Sequence, residues 1–476
     1  MSFDRLFGTA IDKALTLGAE FTEVRYHKRR IEELVIKNGR VEAIWRGVDE
    51  GLCVRVLVDG CLGFSSTNVM TEKSIEKTIE RCVKIARVMK KLLKEPVKLA
   101  STETHDVNYV VTERVKWENV DIREKIQYFR DLDKVLAQEK QDVKVPYRVF
   151  EIRHVLEEKL YENSEGTTIA SKIPRLSIDY VITCVKNGQS IQRYHKVGGT
   201  GGWETILKTN FEEKVKSDVD ALGRELIFGK KSPTGKMDVL VSPEIAGIIA
   251  HEAVGHPFEA DRILGREAAQ AGESYMKIDD IGKEIASEEV YVSDDPTIPS
   301  SYGYYLYDDE GVKARKKELI KKGRVTEFLH NRETASELGI KSNGSARAMC
   351  YSVEPIVRMS NTYFEPGDYS FEELLEDIKF GIYIKSFMEW NIDDKRVNQR
   401  YVGLEAYLIE NGEIKYPVRQ PVIETTTFEL LKKLDARGRD LEFDAGTCGK
   451  GEPIQGIPVW MGGPHLRFRK LKITVR

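Results

Sequence analysis

Alternating apolar and polar residues predict β-hairpins in both halves of the chain. In "LCVRVLVDGCLGF", Leu52, Val54 and Val56 share one face of a strand that runs into an Asp-Gly turn. Dipeptides that favour tight hairpin turns separate such alternating runs at four places: Asn38-Gly39, Asp59-Gly60, Asn187-Gly188 and Asn411-Gly412. The pattern therefore indicates antiparallel sheet near both ends of the chain.

Helical periodicity occurs between these hairpins. Thr71 is a favourable N-cap, and apolar residues follow it at spacings of three and four: Ile75, Ile79, Cys82, Val83 and Ala86. A second helix is predicted from about Asp121 through Leu136. A third follows the strand "MDVLV", where Ser242 is the N-cap and Pro243 takes the first helical position. Because this third helix is apolar on nearly every face, we expect it to be buried.

The fold class expected from these elements is α+β, with two domains. A chain of 476 residues exceeds what one hydrophobic core usually organises. The stretch "FGKKSPTGKM", residues 228–237, is rich in glycine, proline, serine and lysine and gives the best boundary. We predict an N-terminal domain of mixed antiparallel sheet and helices over residues 1–232. A sheet-rich C-terminal domain over residues 233–476 would carry the apolar helix.

Composition and charge narrow the function. Charged residues make up 32% of the chain and the net charge is only -3, so neither nucleic acid nor an anionic membrane is indicated as a partner. No apolar run reaches the roughly 18 residues of a membrane helix, and the N-terminus lacks a signal-peptide pattern. We expect a cytoplasmic protein, whose six dispersed cysteines are free thiols. The glycine-dense "VGGTGGW", residues 197–203, lacks the end of a phosphate loop and is interpreted as a flexible loop.

The candidate chemistry lies in "HEAVGHPFEAD", residues 251–261. It is close to the zinc-protease motif H-E-x-x-H, but its second histidine comes one residue late. Residues five apart on a regular helix are offset by roughly 140°, so His251 and His256 could not share one metal ion there. Gly255 and Pro257 are weak points at which the helix could widen or break. We therefore predict that the regular helix ends or is distorted around Gly255.

A catalytic zinc needs a third protein ligand beside two imidazoles. Cys448, in the glycine-rich "DAGTCGKGEPIQGIP", is the candidate, and two His with one Cys favour zinc over magnesium or calcium. Glu252 would then act as the base that takes a proton from metal-activated water. The residues alone leave the alternative open: His251 and His256 as a buried hydrogen-bonded pair, and Cys448 as a structural residue.

The chain resembles the TldD/PmbA family of metalloproteases. "HEAVGHPFEAD" is similar to that family's metal-binding segment, and the N-terminal "GRVEAIWRGVDEGLCVRVLVDGCLGFSSTN" is similar to its first sheet region. Further segments follow in the family's order: "DDEGV", "RMSNTY", "LEAYLIENGEI" and "CGKGEPIQGIPV". The likeness thus covers most of the chain. The intact His-Glu-x-x-x-His and the later cysteine match the TldD-like branch rather than its partner branch.

The resemblance implies a zinc-dependent peptidase that cuts unfolded or small peptides. It assigns His251, His256 and Cys448 as metal ligands and Glu252 as the catalytic base. It also implies a dimer with a homologous subunit of the TldE/PmbA type, or a homodimer, whose cavity admits only extended chain. Glu259 and Asp261 match further acidic positions of the motif, and they are either hydrogen-bonding partners of a ligand histidine or surface acids.

Other residues and other functions stay open at this point. "YDDEG", residues 307–311, is interpreted as a solvated acidic turn. Arg358 and Asn361 could contact a peptide backbone or cap a strand, and His465 is assigned to the surface or to packing. A regulatory or binding subunit with a structural zinc site would carry a fourth protein ligand. A cysteine peptidase would use Cys448 as the nucleophile and His256 as its base.

Overall fold

The computed structural model describes residues 3–92, 95–138, 142–267 and 272–476. Its α-helices are α1 Phe3–Thr16, α2 Glu72–Met89, α3 Ile122–Leu136, α4 Thr205–Lys208, α5 Phe211–Phe228, α6 Pro243–Ile249, α7 Ala260–Ile263, α8 Arg332–Glu337, α9 Phe371–Glu376 and α10 Thr427–Lys432. Short 3₁₀ turns occur at Trp117–Asn119 and Ile278–Asp280.

The strands of the N-terminal part are β1 Phe21–Lys37, β2 Arg40–Val58, β3 Cys61–Thr67, β4 Asp106–Val110, β5 Lys144–Asn163, β6 Thr168–Lys186 and β7 Gln189–Thr200. Those of the C-terminal part are β8 Lys230–Lys231, β9 Gly235–Val241, β10 Val292–Asp294, β11 Lys317–Lys321, β12 Arg324–Val325, β13 Ala346–Arg347, β14 Ile356–Val357, β15 Asn361–Phe364, β16 Phe380–Ile384, β17 Phe387–Ile392, β18 Asn398–Gly403, β19 Ala406–Glu410, β20 Glu413–Arg419, β21 Pro421–Thr426, β22 Leu434–Arg437, β23 Glu442–Lys450, β24 Gln455–Gly463 and β25 Leu466–Val475.

The N-terminal part is one sheet of long strands with helices packed against it. Its strand order is β3-β2-β1-β5-β6-β4, with β7 also paired to β6. All pairs are antiparallel except β4 with β6. Helices α1 and α2 cover one end of the sheet, and α3 and α5 pack on the part formed by β5 and β6. The predicted α+β class with mixed sheet is confirmed.

The local predictions from the sequence are confirmed here. Both residues of each of the four turn dipeptides have a positive φ, as the tight turns of two-residue hairpins require. Thr71 caps α2 by accepting from the Ser74 N–H, and Asp121 caps α3 by accepting from the Arg123 N–H. Ser242 caps α6 and Pro243 opens it.

The C-terminal part is built from two larger sheets that enclose α6. A sheet with the order β17-β18-β21-β25-β9-β16-β19-β20-β8, to which β22 adds beside β25, forms one layer. The order β12-β11-β10-β15-β24-β23 forms the other. Strand β9 leads directly into α6, whose residues lie in the core between the sheets. The sheet-rich character predicted for this half of the chain is confirmed.

The sequence interpretation of residues 197–203 needs correction. The segment 197–203 is not a flexible loop, because residues 197–200 are buried and end β7. Gly199 lies so close to the Ser300 carbonyl that an added Cβ would be 2.7 Å from its oxygen, so the glycine serves packing. In β2, the face opposite Val54 is also buried, since Arg55 is only 4% exposed and forms an ion pair with Glu310 of the C-terminal part.

The boundary near residue 232 stays a prediction. Lys230 and Lys231 already pair with β20 of the C-terminal sheet, and α5 contacts both β7 and β20. The six cysteines are free and buried. Among the described residues, no helix is both long and apolar enough to cross a membrane.

Gly247 should be intolerant of a side chain. A Cβ there would lie 2.7 Å from the Met461 carbonyl carbon and 2.8 Å from the Gly462 nitrogen, and backbone atoms of β24 cannot move aside cheaply. We expect Gly247→Ala to lower the free energy of unfolding of the C-terminal part by about 1–3 kcal/mol, measured as a lower midpoint in denaturant. Gly8→Ala in α1 is the control, since an added Cβ meets nothing within 4 Å there. Equal midpoints for both variants would contradict this packing.

Candidate metal centre

The helix that carries the two histidines changes its winding at Ala250. Residues Ala250–Gly255 form a π-helical turn, and His256–Phe258 form a 3₁₀ turn. The His256 N–H donates to the His251 carbonyl, five residues back, which is the bond that defines π winding. The two imidazole rings consequently lie on the same side, with centroids 4.8 Å apart. The predicted distortion is confirmed, although it begins before Gly255.

Packing explains why Gly255 stands at the end of this turn. A Cβ at Gly255 would lie 1.8 Å from the Met359 Sδ atom, far inside any allowed contact. The turn is therefore pressed against the segment that leads into β15. This contact, together with the 3₁₀ turn that contains Pro257, keeps the backbone from continuing as a regular α-helix.

Cys448 reaches the histidines from the other end of the C-terminal part. It lies on β23, 192 residues after His256, and its Sγ is 3.4 Å from His256 Nε2. The possible ligand atoms of His251, His256 and Cys448 all lie within 4.8 Å of one another. All three side chains are buried. The structure thus brings together the three residues that the sequence singled out as ligands.

The electrostatics of the group suit a cation. Burial by itself would raise the pKa of the Cys448 thiol, but the positive charges of His256, His251 and Arg358 outweigh it and hold that pKa well below its usual value. Burial would lower the pKa of His251, but the neighbouring Cys448 outweighs burial and raises that pKa above its usual value. The buried Nδ1 of His251 has no hydrogen-bond partner. A thiolate with two imidazoles is the donor set that zinc prefers, so these residues fit that ion.

Glu259 and Asp261 are buried rather than on the surface. Glu259 Oε2 lies 3.1 Å from His256 Nδ1 and accepts from Arg262 at 2.7 Å. Lys450 Nζ donates to both oxygens of Asp261, at 2.7 and 2.8 Å, and lies 3.2 Å from Glu259. Although burial would raise the pKa of Glu259, these cations hold it well below its usual value. A carboxylate behind the imidazole fixes the ring and leaves Nε2 toward Cys448.

Glu252 faces the same space as the histidines. A cavity of about 290 Å³ is lined by Glu252 together with His251, His256 and Cys448. One carboxylate oxygen of Glu252 accepts from Trp390 Nε1 at 3.2 Å, and the other pairs with the guanidinium of Arg396. Both partners come from the β17–β18 hairpin. The carboxylate is therefore held in one orientation beside the three candidate ligands.

A second polar group, whose residues form no recognisable motif in the sequence, lies in the wall of this cavity. His195 Nε2 is 3.0 Å from Asp444 Oδ1, and Lys214 donates to the same oxygen at 2.8 Å. Glu244 pairs with Arg193. Although burial opposes it, Asp444 helps raise the pKa of His195 to about 9. Because cations already occupy these carboxylates, we interpret the group as an ion-pair network rather than a second metal site.

The open residues of the sequence analysis have structural positions. Arg358 is fully buried and donates to the carbonyls of Cys448 and Gln455. The Asn361 side chain accepts from the backbone N–H groups of Gly303 and Trp460, both at 3.2 Å. Of the two alternatives for this residue, peptide contact or structural capping, these bonds agree with capping. His465 packs in a partly buried position between Tyr383 and Asp440.

The acidic turn at 307–311 is not solvated. Asp308, Asp309 and Glu310 are buried, and Glu310 accepts from Arg55 at 2.6 Å. Asp309 accepts from Lys159 at 2.9 Å. The turn was misjudged because its cationic partners stand on the N-terminal sheet, more than a hundred residues away in sequence.

Three residues that hold the candidate site carried no sequence signal of their own. Trp390 lies in the short strand β17, and Arg396 lies in the polar turn between β17 and β18. The pattern could have indicated this hairpin, but not its contact with Glu252. Lys450 stands two residues after Cys448, so strand alternation could have placed both on one face. Which residues they meet depends on the tertiary fold.

Comparison with known proteins decides the family. Three models of PmbA/TldA metallopeptidase domains match the chain: domain 1 at residues 22–86, the central domain at 115–228 and the C-terminal domain at 234–475. The chain belongs to the PmbA/TldD family. It is a metallopeptidase by that membership, as its relatives are.

Named relatives and solved structures agree with this PmbA/TldD assignment. A metalloprotease of Methanocaldococcus jannaschii is 34% identical over 96% of this chain and 97% of its own. A Saccharolobus solfataricus protein named zinc metalloprotease TldD homolog is 31% identical over 97% of this chain and 98% of its own. The crystal structure of TldE from Thermococcus kodakarensis shares the fold, with a TM-score of 0.75 at 19% identity over 98% of this chain and 100% of that one.

Removing Arg358 should weaken metal binding by this PmbA/TldD protein. Arg358→Met leaves the buried carbonyls of Cys448 and Gln455 without that donor, which loosens the hairpin that carries the thiolate. We expect the dissociation constant for zinc to rise about 10–100-fold, measured by competition with a chelating dye. Arg315→Met, at an exposed arginine paired with Glu327, is the control and should bind zinc as the parent does. Equal affinity in both variants would show that Arg358 does not position Cys448.

Proposed function

We propose that this protein is a zinc-dependent peptidase of the TldD type that hydrolyses peptide bonds in unfolded or small peptides. The observation that carries the proposal is the buried group of His251, His256 and Cys448 on a cavity that Glu252 also lines. His251, His256 and Cys448 would hold the ion. Zinc, when bound, supplies a Lewis acid that polarises a carbonyl and lowers the pKa of a bound water.

Glu252 is the general base in this proposal. Each of its oxygens accepts one hydrogen bond or ion pair, from Trp390 or from Arg396, and a carboxylate oxygen has a second lone pair that can still accept a proton. Glu252 would take a proton from the attacking water and pass it to the nitrogen of the leaving amine. Arg396 and Trp390 orient the carboxylate, so the base is already in position before the substrate binds.

The shape and depth of the site support extended peptides as substrates. The candidate ligands are each no more than 5% exposed, and the cavity of about 290 Å³ has room for a few residues of chain but not for a folded surface. We propose a dimer, with a homologous subunit of the TldE/PmbA type or with a second copy, as the working assembly. The fold shared with TldE supports such a pairing. Six free cysteines fit a reducing cytoplasm.

Two other functions would use the same residues differently. A structural zinc site is closed by four protein ligands, whereas in the described part of the chain the buried group of His and Cys has three members. The three-membered group favours the peptidase over a regulatory subunit. A cysteine peptidase would use the Cys448 thiolate as the nucleophile with His256 beside it, 3.4 Å away. That second candidate predicts activity without any metal.

Glu252→Gln should separate binding from chemistry. We expect the variant to keep about one zinc per chain, measured by atomic emission, while cleavage of an unstructured fluorogenic peptide falls by about 10²–10⁴-fold. Glu424→Gln, at an exposed residue of β21, is the control and should cleave as the parent does. Unchanged cleavage by Glu252→Gln would remove Glu252 as the base. Full activity of the chelated parent protein would favour the cysteine peptidase instead.

Arg396→Met should lower the rate more than the affinity. The change removes the cation that holds one oxygen of Glu252, so the base loses its fixed orientation. We expect kcat to fall about 10–100-fold with little change in KM or in zinc content, from steady-state kinetics and metal analysis. Arg400→Met lies on the same hairpin but removes an outer ion pair with Glu389, and it should leave kcat unchanged. A similar loss in both variants would point to the hairpin as a whole.

A further inference from the structure

A second cavity adjoins the metal cavity and has no role in the chemistry described above. Its volume is about 300 Å³, and it lies between the N-terminal sheet and the C-terminal part. Strands β1, β5, β6 and β7 form one wall, and the segments around Tyr305 and Arg347 form the other. Lys196 and Thr447 line both cavities. Thr447 directly precedes the candidate ligand Cys448, so the two spaces meet beside the metal centre.

The second cavity carries an excess of positive charge. Its basic lining residues are Arg25, Arg29, Arg153, Lys159, Arg175, Lys196 and Arg347, whereas its acidic residues are Glu157, Asp308 and Asp309. Five of these seven cations already have a carboxylate partner: Arg29 pairs with Asp49 and Lys196 with Asp179, while Arg25, Lys159 and Arg175 pair with acids of the lining. In the described part of the chain, Arg153 and Arg347 form no ion pair within this partly enclosed space. Such an arrangement attracts an anion, because field lines are focused where the walls exclude water.

The three carboxyl groups are already engaged. Glu157 pairs with Arg175 and lies 2.8 Å from His27 Nε2. Asp309 accepts from Lys159 at 2.9 Å and from the Ala348 N–H at 2.8 Å. Asp309 also lies 3.5 Å from Arg25 Nη1, so both acids are engaged by other cations and neither pairs with Arg153 or Arg347.

Asp308 is engaged by the backbone of its own turn and of β13. It accepts three backbone N–H groups, from Glu310 at 3.0 Å, Val312 at 2.9 Å and Ala346 at 3.0 Å. Burial and the nearby Glu310 raise the pKa of Asp308 well above its usual value. It therefore serves the turn in which it stands rather than the cations across the cavity.

Arg347 is the cation that most needs an anion. It is 6% exposed, and its guanidinium donates to two carbonyls, Met359 O at 2.7 Å and Pro458 O at 2.9 Å. In the described part of the chain it forms no ion pair with a carboxylate. Arg25 differs from it, because its guanidinium lies 3.5 Å from Asp309 and donates to two carbonyls. A buried guanidinium that meets only neutral carbonyls and the ring of Tyr305 is costly, and an anion in the cavity would offset that cost.

We propose that this cavity is a subsite in which Arg347 binds a carboxylate of the peptide substrate. The inference rests on the proposed peptidase function. Guanidinium groups bind carboxylates through paired, charge-assisted hydrogen bonds, and Arg153 adds an exposed cation at the opening. Because Lys196 and Thr447 line both cavities, an extended peptide bound at the metal centre would continue into this one, at about 3.3 Å per residue. The subsite selects an acidic side chain or the C-terminal carboxylate near the cleaved bond.

The test measures binding without turnover. Zinc-loaded, full-length protein with Glu252→Gln is titrated by calorimetry with an N-acetylated neutral hexapeptide, with versions that carry Glu or Gln at each position, and with carboxylate or carboxamide ends. We expect one position of Glu, or the free C-terminus, to bind at least about tenfold more tightly than its neutral counterpart. The position of the gain tells a side-chain carboxylate from the terminal one.

Variants assign the gain to the cavity. Arg347→Met should abolish it, and Arg153→Gln, at an exposed residue whose replacement leaves the core intact, should reduce it several-fold. Arg30→Gln, on the same sheet but outside the cavity, is the control and should retain the full preference. Equal affinity for Glu and Gln peptides at every position, or a gain that persists in both cavity variants, would overturn the subsite. A preference in binding without any cleavage by the parent protein would instead overturn only the peptidase function.

Discussion

The hydrogen bond from the His256 N–H to the His251 carbonyl is the constraint on which the rest of the site depends. It closes a wider turn than an α-helix allows, and it brings two imidazoles that would point apart onto one side. Without this bond, Cys448 could not approach both imidazoles. The contact of Glu259 with the back of His256 would then not turn that ring toward Cys448. The π-helical turn also requires Gly255, since a side chain there would occupy the space of Met359.

This turn packs in the core between the two sheets of the C-terminal part. Helix α6 begins at the end of β9 and packs on β24 through Gly247, where the backbones approach closely. Arg358 ties the hairpin that carries Cys448 to the same core. The N-terminal sheet is joined to this core by Arg55 and Glu310, a buried ion pair that also explains why an acidic turn is hidden from solvent. The cavity beside the candidate ligands is thus enclosed by elements that are far apart in sequence.

The sequence predicts local features well and distant ones poorly. The hairpin turns, the caps of α2, α3 and α6 and the distortion near Gly255 follow from neighbouring residues, so they could be found without a structure. The four residues of the candidate site could be named as candidates from local patterns, the spacing in the motif and the glycine-rich surroundings of Cys448, while their roles came from the resemblance to the TldD/PmbA family. Whether a charged residue is buried depends on which strand faces it. For that reason the sequence left Glu259 between two alternatives, Asp308 was wrongly expected in a solvated turn, and the roles of Arg396 and Lys450 did not emerge.

Strand register determines whether a metal centre exists at all. Cys448 and Lys450 stand two residues apart on β23 and so face the same side, one toward His256 and the other toward Asp261. Their partners across the hairpin are Ile457 and Gln455. A slip of one residue would turn both side chains to the opposite face and leave the overall sheet almost unchanged. The three candidate ligands therefore come together only in the correctly paired hairpin, so a metal bound by them would stabilise that register over a compact but misregistered one.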